Sequence, residues 1–566
     1  MPTLNWIGKE KVVSHHQDVP YRVLEHKYGF TADPSTGSGC EQTEPTQSGN
    51  KIIHGDNLEA LKSLLPEYEG KVKCIYIDPP YNTGNESWVY NDNVNHPKIK
   101  KWLGEVVGKD GEDLTRHDKW LCMMYPRLKL LHKLLSENGI IFISIDDHEL
   151  AHLRLLMDEI FGRNNFVEYF CWTKTSTPPS LANKSRKTVE YVVCYEKKKD
   201  NLKYNAELSD GGDAPLLNSG NPDAKILFPK DKVYFKLPDG KYESGQYDKA
   251  FLHNDIIIED GYSNVDFELT AQFKWVQDTV DAEIEKGTEF IIKSDKFSIR
   301  FLRADKSFKA PTNLFKDKYL NTTINKVEDN VDTNEGAKKV LKQIFGKDIF
   351  NYPKPYSLIE FLLKIGSEKN SIVLDSFSGS GTTAHAVLNL NKQDGGNRKF
   401  ILVEMEDYAN DITAERVKRV TKGYGSGKKA VAGTGGAFDF YELGLPLFDE
   451  NQNLNEQVGL AKIREYIWFS ETRTSYNDEC RMMNVESIHN SSFINHNYYL
   501  GQKDGTVYYF IYEKDKLTTL DYDALELIKT KGEQYIIYAD NCLLPKEFMA
   551  KKNIIFKKIP RDITKF

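Results

Sequence analysis

No apolar run in the sequence approaches the ~18 consecutive residues that a membrane-spanning helix needs, so no membrane partner is expected. The opening residues, Met1-Pro2-Thr3-Leu4-Asn5-Trp6, lack the charged-then-apolar pattern of a secretory signal, and a cytoplasmic location is expected. Cysteine is sparse. The seven residues (Cys40, Cys74, Cys122, Cys171, Cys194, Cys480, Cys542) form no Cys-x-x-Cys pair and no Cys/His spacing of a metal site. They read as reduced thiols, which excludes a disulfide scaffold. A basic excess is missing too: with a net charge of −7, any surface that grips phosphates must be a local patch on an acidic body. What the chain does have is core material. At 566 residues and 40% hydrophobic content it is too long for one core and too apolar for wholesale disorder, so about three or four domains are expected.

Residues 1–50 read as an N-terminal arm ending in turn chemistry over residues 31–39. From Lys51 the pattern alternates. Lys51–His54 and Val72–Ile77 are Ile/Val-rich runs that predict buried parallel strands, with helical spacing over residues 57–65 between them. Residues 121–135 predict a helix kinked at Pro126 and stopped by Asn138-Gly139, then a strand over 140–145 and a helix opened by Asp146-Asp147. This alternation implies a doubly wound α/β sheet. Near residue 200 the texture turns to Lys, Asp, Gly, Asn and aromatics, until alternation returns after Pro311 with Ile372–Asp375, a helix over 382–391, and Lys399–Glu404. Residues 423–436 read as a glycine-rich linker, and a separate C-terminal α/β domain is expected over 446–566. The α/β sheet is thus expected in two halves, 51–200 and 311–445, around an insert at 201–310.

Two strings carry chemistry. Asp78-Pro79-Pro80-Tyr81 follows the strand Val72–Ile77 at its carboxyl end, where open sheets bind ligands. The exocyclic amine of a base is a poor nucleophile, because its lone pair is delocalised into the ring. An Asp78 carboxylate and the Pro79 carbonyl can accept its two hydrogens, favouring a pyramidal nitrogen with its lone pair free. The prolines stiffen the turn, and Tyr81 offers a face for a flipped base, a contact worth ~1–3 kcal/mol. Taken alone, the four residues equally fit a proline-stiffened turn with an incidental aspartate. The second string, Asp375-Ser376-Phe377-Ser378-Gly379-Ser380-Gly381-Thr382-Thr383, joins a strand to a helix whose start can meet a negative group. A lone Gly-Ser-Gly turn says little. Glu404, about 23 residues past Gly381 at the next strand end, is placed to accept two ribose hydroxyls, which favours a nucleoside cofactor.

In order and spacing, Gly55-Asp56-Asn57-Leu58, then Tyr76-Ile77-Asp78-Pro79-Pro80-Tyr81-Asn82-Thr83-Gly84, then Asp375-x-Phe377-x-Gly379-x-Gly381 resemble the beta group of amino-methyltransferases. In that group the catalytic motif precedes the cofactor motif. The strings look most like the modification (Mod) subunits of type III restriction-modification systems, over roughly residues 50–200 and 310–445. The resemblance implies a Rossmann-like, S-adenosylmethionine-dependent methyltransferase sheet with circularly permuted motif order. It also implies site-specific methylation of adenine N6 in double-stranded DNA by base flipping. On this resemblance Asp78, Pro79, Pro80 and Tyr81 bind and activate the adenine. Asp375, Phe377, Gly379, Gly381, Thr382, Thr383 and Glu404 hold S-adenosylmethionine, joined by Lys354 and Pro355 before the helix at 357–365, with Asp56 beside the adenine pocket or among the cofactor's contacts. Lys354 by itself equally fits a solvated lysine before a helix.

The insert falls where this family keeps its target-recognition domain. Lys225, Lys230, Lys232, Lys236, Lys241 and Lys249 with Tyr234, Phe235 and Tyr242 can form the local patch that the net charge requires, although interleaved acids also fit a solvated face. The implied partners are DNA, a second copy of the chain, and a separate restriction subunit carrying ATPase and nuclease activity. Cytosine-N4 methylation needs the same amine activation, but aspartate at the first motif position favours adenine. A DNA-binding specificity subunit with little catalysis is the other alternative, against which the intact motifs argue. Gly425-Ser426-Gly427-Lys428 lacks the upstream glycine and the following Ser or Thr of a phosphate loop. His15-His16 reads as solvated, and no metal is expected.

Overall fold

The computed structural model describes residues 4–33, 35–83, 116–175, 177, 184–199, 204, 207–208, 213–303, 308–309, 313–315, 331–476 and 498–565. Gly84 and Cys480 lie outside the described residues. The chain forms two compact units, one of Met1–Asn201 with Thr312–Phe566 and one of Leu202–Pro311.

The first unit is built on an eleven-stranded sheet. Numbered along the chain, its strands are β1 (Arg22–Asp33), β2 (Ser38–Gln42), β3 (Lys51–His54), β4 (Val72–Ile77), β5 (Leu135–Ile145), β6 (Phe166–Thr173), β7 (Val189–Glu196), β8 (Leu314–Phe315), β9 (Ile372–Asp375), β10 (Lys399–Glu404) and β11 (Gly436–Pro446). They lie in the order β2-β1-β11-β3-β10-β9-β4-β5-β7-β6-β8. From β11 to β5 neighbours are parallel, and β7 then runs antiparallel to both β5 and β6. The inner strands are buried on both faces, as their unbroken apolar runs require. The crossover helices used below are α1 (Asn57–Tyr68), α2 (Arg116–Leu134), α3 (Leu150–Met157), α4 (Tyr356–Gly366) and α5 (Thr382–Asp394). This is the Rossmann-like doubly wound arrangement expected. The crossovers from β9 to β10 and from β4 to β5 leave in opposite directions, so a crevice opens beyond their carboxyl ends. The pairing of Val373 with Cys74 and Leu374 with Ile75 brings together two strands far apart in sequence.

Several expectations are corrected. β5 starts at Leu135, directly after α2, because Leu135 pairs with Val72; Asn138-Gly139 falls in the register shift that precedes the Cys74–Ile140 pair, not at a helix stop. Asp146 and Asp147 do not open α3, whose N-cap is Glu149; Asp146 instead binds the backbone amide and ring of His148. Residues 1–50 are no separate arm. β1 pairs along β11 and covers an edge that would otherwise expose unpaired backbone groups, while Trp6, Val12, Val19 and Tyr21 sit in the main core. Residues 423–436 are not a loose linker either, since Gly423 and Tyr424 pair with Ala432 and Val431 in a short hairpin.

The C-terminal region shares the main core as well. Ile463, Tyr466, Ile467 and Phe469 of the helix Leu460–Thr472 join the cluster that holds Leu61 and Leu128, and the Tyr466 ring lies 4.9 Å from that of Tyr21. The sheet formed by Tyr499–Lys503, Thr506–Phe510, Gln534–Ala539 and Ile554–Lys558 is apolar on both faces. Tyr508, Phe510, Ile536 and Tyr538 face the main core, whereas Val507, Tyr509, Ile537 and Ala539 face a smaller one, as a period of two dictates.

The second unit has a core of its own around Phe228, Phe235, Phe267, Phe290 and Phe297, ringed by short strands and the helix Gln277–Glu285. Phe235 is buried in that core, and Tyr242 is half-buried with its ring 5.8 Å from that of Phe297. Lys225, Lys232 and Lys241 are paired with Glu268, Asp231 and Asp255. The expected basic patch is therefore partly neutralised. Among the described residues of this unit, Tyr234, Phe251 and Tyr262 are exposed, with the Tyr234 and Tyr262 rings 5.6 Å apart.

Candidate active site

Asp78 directly follows β4 at the crevice and is 8% exposed. Both of its oxygens accept from Lys354 Nζ at 2.8 Å. Lys354 reaches it from the Pro353-Lys354-Pro355 turn, where Pro355 is the N-cap of α4. The ammonium also lies 4.8 Å over the Tyr81 ring and 3.7 Å from Glu190 on β7. Glu190 in turn accepts from the Tyr81 hydroxyl at 3.2 Å and pairs with Lys174 at 3.0 Å. Two carboxylates and two ammonium groups thus alternate around Tyr81. Burial holds the Asp78 carboxyl above the usual carboxylate range, against the pull of Lys354 and with some help from Glu190. Burial and the same two carboxylates raise the Tyr81 phenol well above its ordinary value. The turn itself is tied down: Trp120 of α2 donates to the Pro80 carbonyl at 2.7 Å.

On the adjacent strand, the loop after β9 faces the same crevice. Asp375 accepts from the Phe377 amide at 3.0 Å and from the Thr383 hydroxyl at 2.5 Å, which braces the loop. Burial pushes its carboxyl up to about 7, opposed by those two donors. Gly379 and Gly381 both have positive φ, at 50° and 77°. A Cβ on Gly381 would lie 3.0 Å from the Thr413 carbonyl oxygen, so close packing and backbone conformation both call for glycine. Glu404, at the end of β10, accepts from the Gly379 amide at 2.7 Å and from the Glu406 amide at 3.0 Å. Burial pushes it to about 7 despite these donors. The hydroxyls of Ser376 and Ser378 are buried and make no hydrogen bond to any described residue.

These parts line one cleft of about 320 Å³. Asp78, Lys354, Asp375, Phe377, Gly379, Thr382 and Thr383 are all on its wall, with Tyr76, Phe350 and Tyr352. Glu404 stands behind Gly379 rather than on that wall, and Gly381 packs against Thr413. Lys354 is neither solvated nor set apart among cofactor groups, since it grips Asp78. Asp56 is placed differently: it caps α1, accepting from the amides of Leu58 and Glu59, and lies 3.7 Å from Arg127. Its neighbour Asn57 touches the glycine loop, donating to the Ser376 carbonyl at 3.3 Å and held by Arg127 at 2.6 Å.

Sequence reasoning passed over Glu190, Lys174, Asn57, Arg127 and Arg416. The last is fully buried and donates to the Ser380 and Thr382 hydroxyls at 2.9 and 2.7 Å. Glu190 had a signal, a lone charge near the start of an apolar strand run. The arginines had none, because their partners lie 34 to 70 residues away.

Residues 72–415 match the family described as DNA methylase. The type III restriction-modification enzyme EcoPI Mod subunit of Escherichia phage P1 is 31% identical over 470 residues, 74% of this chain and 68% of that one. The StyLTI Mod subunit of Salmonella typhimurium is 31% identical over 385 residues, 65% of this chain but 54% of that one, so the chain spans about half that relative's length. The type II methyltransferase M.KpnI of Klebsiella pneumoniae is 30% identical over 397 residues, covering 67% of this chain and 85% of that protein. Among solved structures, the PvuII DNA methyltransferase (cytosine-N4-specific) aligns with a TM-score of 0.32 and 14% identity, over 65% of this chain and 86% of that one. With more than half of its length inside the family match, and some three-tenths of aligned positions shared with Mod subunits, this chain belongs to the DNA methylase family.

Proposed function

We propose that this chain methylates adenine N6 at a specific double-stranded DNA sequence, with S-adenosylmethionine as methyl donor, as the modification subunit of a type III restriction-modification system. The observation that carries the reading is the buried Asp78 at the end of β4, sharing one cleft with the Phe377–Gly379 loop. The residues present fit the cofactor. Glu404 is aimed by two backbone amides, one on each oxygen, and stands directly behind the Gly379 loop at the strand end where a ribose would lie. Ser376 and Ser378 hold unused buried hydroxyls beside a loop whose glycines leave room for close approach. Phe377, Gly379, Thr382, Thr383 and Glu404 would hold the cofactor, which when bound supplies an electrophilic methyl on a sulfonium.

The chain's own groups do the rest. In the state described here, Lys354 occupies both Asp78 oxygens and one face of Tyr81. One displacement of that ammonium, towards Glu190 at 3.7 Å, frees the acceptors and the ring face together. Asp78 then accepts an amine hydrogen, and its raised affinity for protons makes it a better acceptor than an exposed aspartate. Trp120 ties the turn down by donating to the Pro80 carbonyl. We assign sequence choice to the Leu202–Pro311 unit, DNA cleavage and ATP hydrolysis to a separate restriction subunit, and expect the chain to work as a homodimer. Mapping of modified bases in a host expressing only this chain tests the reading. N6-methyladenine at one short sequence is expected; N4-methylcytosine, or no modification, overturns it. ATP-dependent DNA cleavage by the purified chain would refute the division of labour.

A further inference from the structure

Beside the Asp78–Asn82 turn, two helices bring together a set of side chains that no short motif announces. His117 lies in the first turn of α2, Glu149 is the N-cap of α3, and His152 follows within α3. The Nδ1 atoms of both imidazoles face the Glu149 carboxylate, His117 at 2.6 Å from Oε1 and His152 at 2.8 Å from Oε2. The two rings lie 4.7 Å apart, and one donor atom from each of the three residues falls within 4.8 Å of the others. Glu149 is completely buried, whereas the His117 and His152 side chains are each about a third exposed.

The set is incompletely satisfied. Glu149 Oε2 and His152 Nδ1 are both buried and, although 2.8 Å apart, make no hydrogen bond to each other or to any described residue. A carboxylate oxygen left without a hydrogen bond in a protein interior is costly, and native structures seldom keep one so. Asn82 donates to the other oxygen, Oε1, and so fixes the direction in which Oε2 points. A cation between the two rings would receive lone pairs from all three residues. Two imidazoles and one carboxylate suit zinc-class ions, and the exposed edges of the rings leave an entry path and an open coordination position.

We propose that His117, Glu149 and His152 bind one divalent transition-metal ion of the zinc class. The ion joins α2 to α3 and, through Glu149 and Asn82, anchors the end of the Asp78–Tyr81 turn. Asn82 has a left-handed φ of 58°, so a fixed partner for its side chain holds a conformation that few residues adopt unaided. The sequence does not announce this set, in which His117 and Glu149 stand 32 residues apart.

The experiment uses the full chain, stripped with a chelator and titrated with Co²⁺ and Zn²⁺. Metal content, visible Co²⁺ absorption and thermal midpoint are read, none of which depends on methyl transfer. The expected result is one tight equivalent and a raised midpoint in the parent, both lost in His117→Ala and in His152→Ala. Circular dichroism shows whether these part-exposed variants remain folded. Asp146→Ala, in the neighbouring Asp146-Asp147-His148 cluster, is expected to keep the equivalent. Absence of tight binding in the parent overturns the proposal, and so does unchanged stoichiometry in both folded histidine variants.

Discussion

At the scale of single residues, the proposed chemistry turns on a carboxylate whose ionised form burial disfavours and the Lys354 ammonium favours. Asp78→Ala is expected to lower single-turnover methyl transfer by about 10²–10⁴-fold while leaving cofactor affinity near that of the parent. Calorimetry with S-adenosylmethionine beside the turnover assay reads both, and near-normal turnover would remove Asp78 from the chemistry. Because its carboxyl is held high, the rate should fall with decreasing pH at values above the ordinary aspartate pKa of ~3.9. Lys354→Met removes the opposing cation and should move that acid limb higher still. It should also destabilise the fold by about 3–5 kcal/mol, since it leaves a buried charge unpaired. An unmoved limb in this variant would mean that the limb belongs to another group.

Glu404 gives a second prediction of definite sign. With a folded-state pKa near 7, above its unfolded value, it favours the protonated form in the folded chain. Its contribution to stability is therefore full below about 4.5 and is lost as pH rises through 7. Ribose hydroxyls prefer the ionised form, so cofactor affinity should strengthen across the same window. Glu404→Gln should flatten both trends; titrations from pH 6 to 8 that leave the slope in affinity unchanged would reassign the group.

At the scale of elements, the loop between β9 and α5 is tightly constrained by positive φ at Gly379 and Gly381 and by the hydrogen bonds that cross it. Gly381→Ala forces an L side chain into a left-handed conformation, with its Cβ 3.0 Å from the Thr413 carbonyl. A loss of about 1–2 kcal/mol is expected from the backbone alone. Because Gly379, Thr413 and Glu404 share the loop's hydrogen bonds, cofactor affinity should fall with it. Denaturant titration and calorimetry on the same variant check both. A variant with parental stability would show that the loop can relax around the methyl group.

At the scale of the whole molecule, the two units differ in how far they can be changed independently. The Leu202–Pro311 unit carries its own phenylalanine core, so replacing it by a relative's insert should leave the sheet folded and cofactor affinity similar. The methylated sequence should change, because direct readout needs side chains at base edges that the cleft does not supply. An active chimera that still marks the parental site would move specificity elsewhere. The region after Pro446 behaves in the opposite way. Leu447, Ile463, Tyr466, Ile467 and Tyr538 belong to the main core, so truncation at residue 446 should cost folding itself. Light scattering and a thermal scan of the truncated chain would show aggregation or early melting; a soluble fragment melting like the parent would contradict this.

The sequence by itself determined the strands β3, β4, β9 and β10 to the residue, because fully buried parallel strands need unbroken β-branched and aliphatic runs. It also determined the glycine loop and the stiff aspartate turn, whose backbone demands are local. Helix and strand ends moved wherever a neighbour decided them. Leu135 is in a strand because Val72 pairs with it, and β1 is part of the sheet because β11 has an edge to fill. Only the tertiary structure decided that Lys354 grips Asp78, that Glu190 and Lys174 complete the charges around Tyr81, and that His117 meets Glu149 and His152. Such contacts join segments whose spacing along the chain carries no period, so no pattern in the sequence announces them.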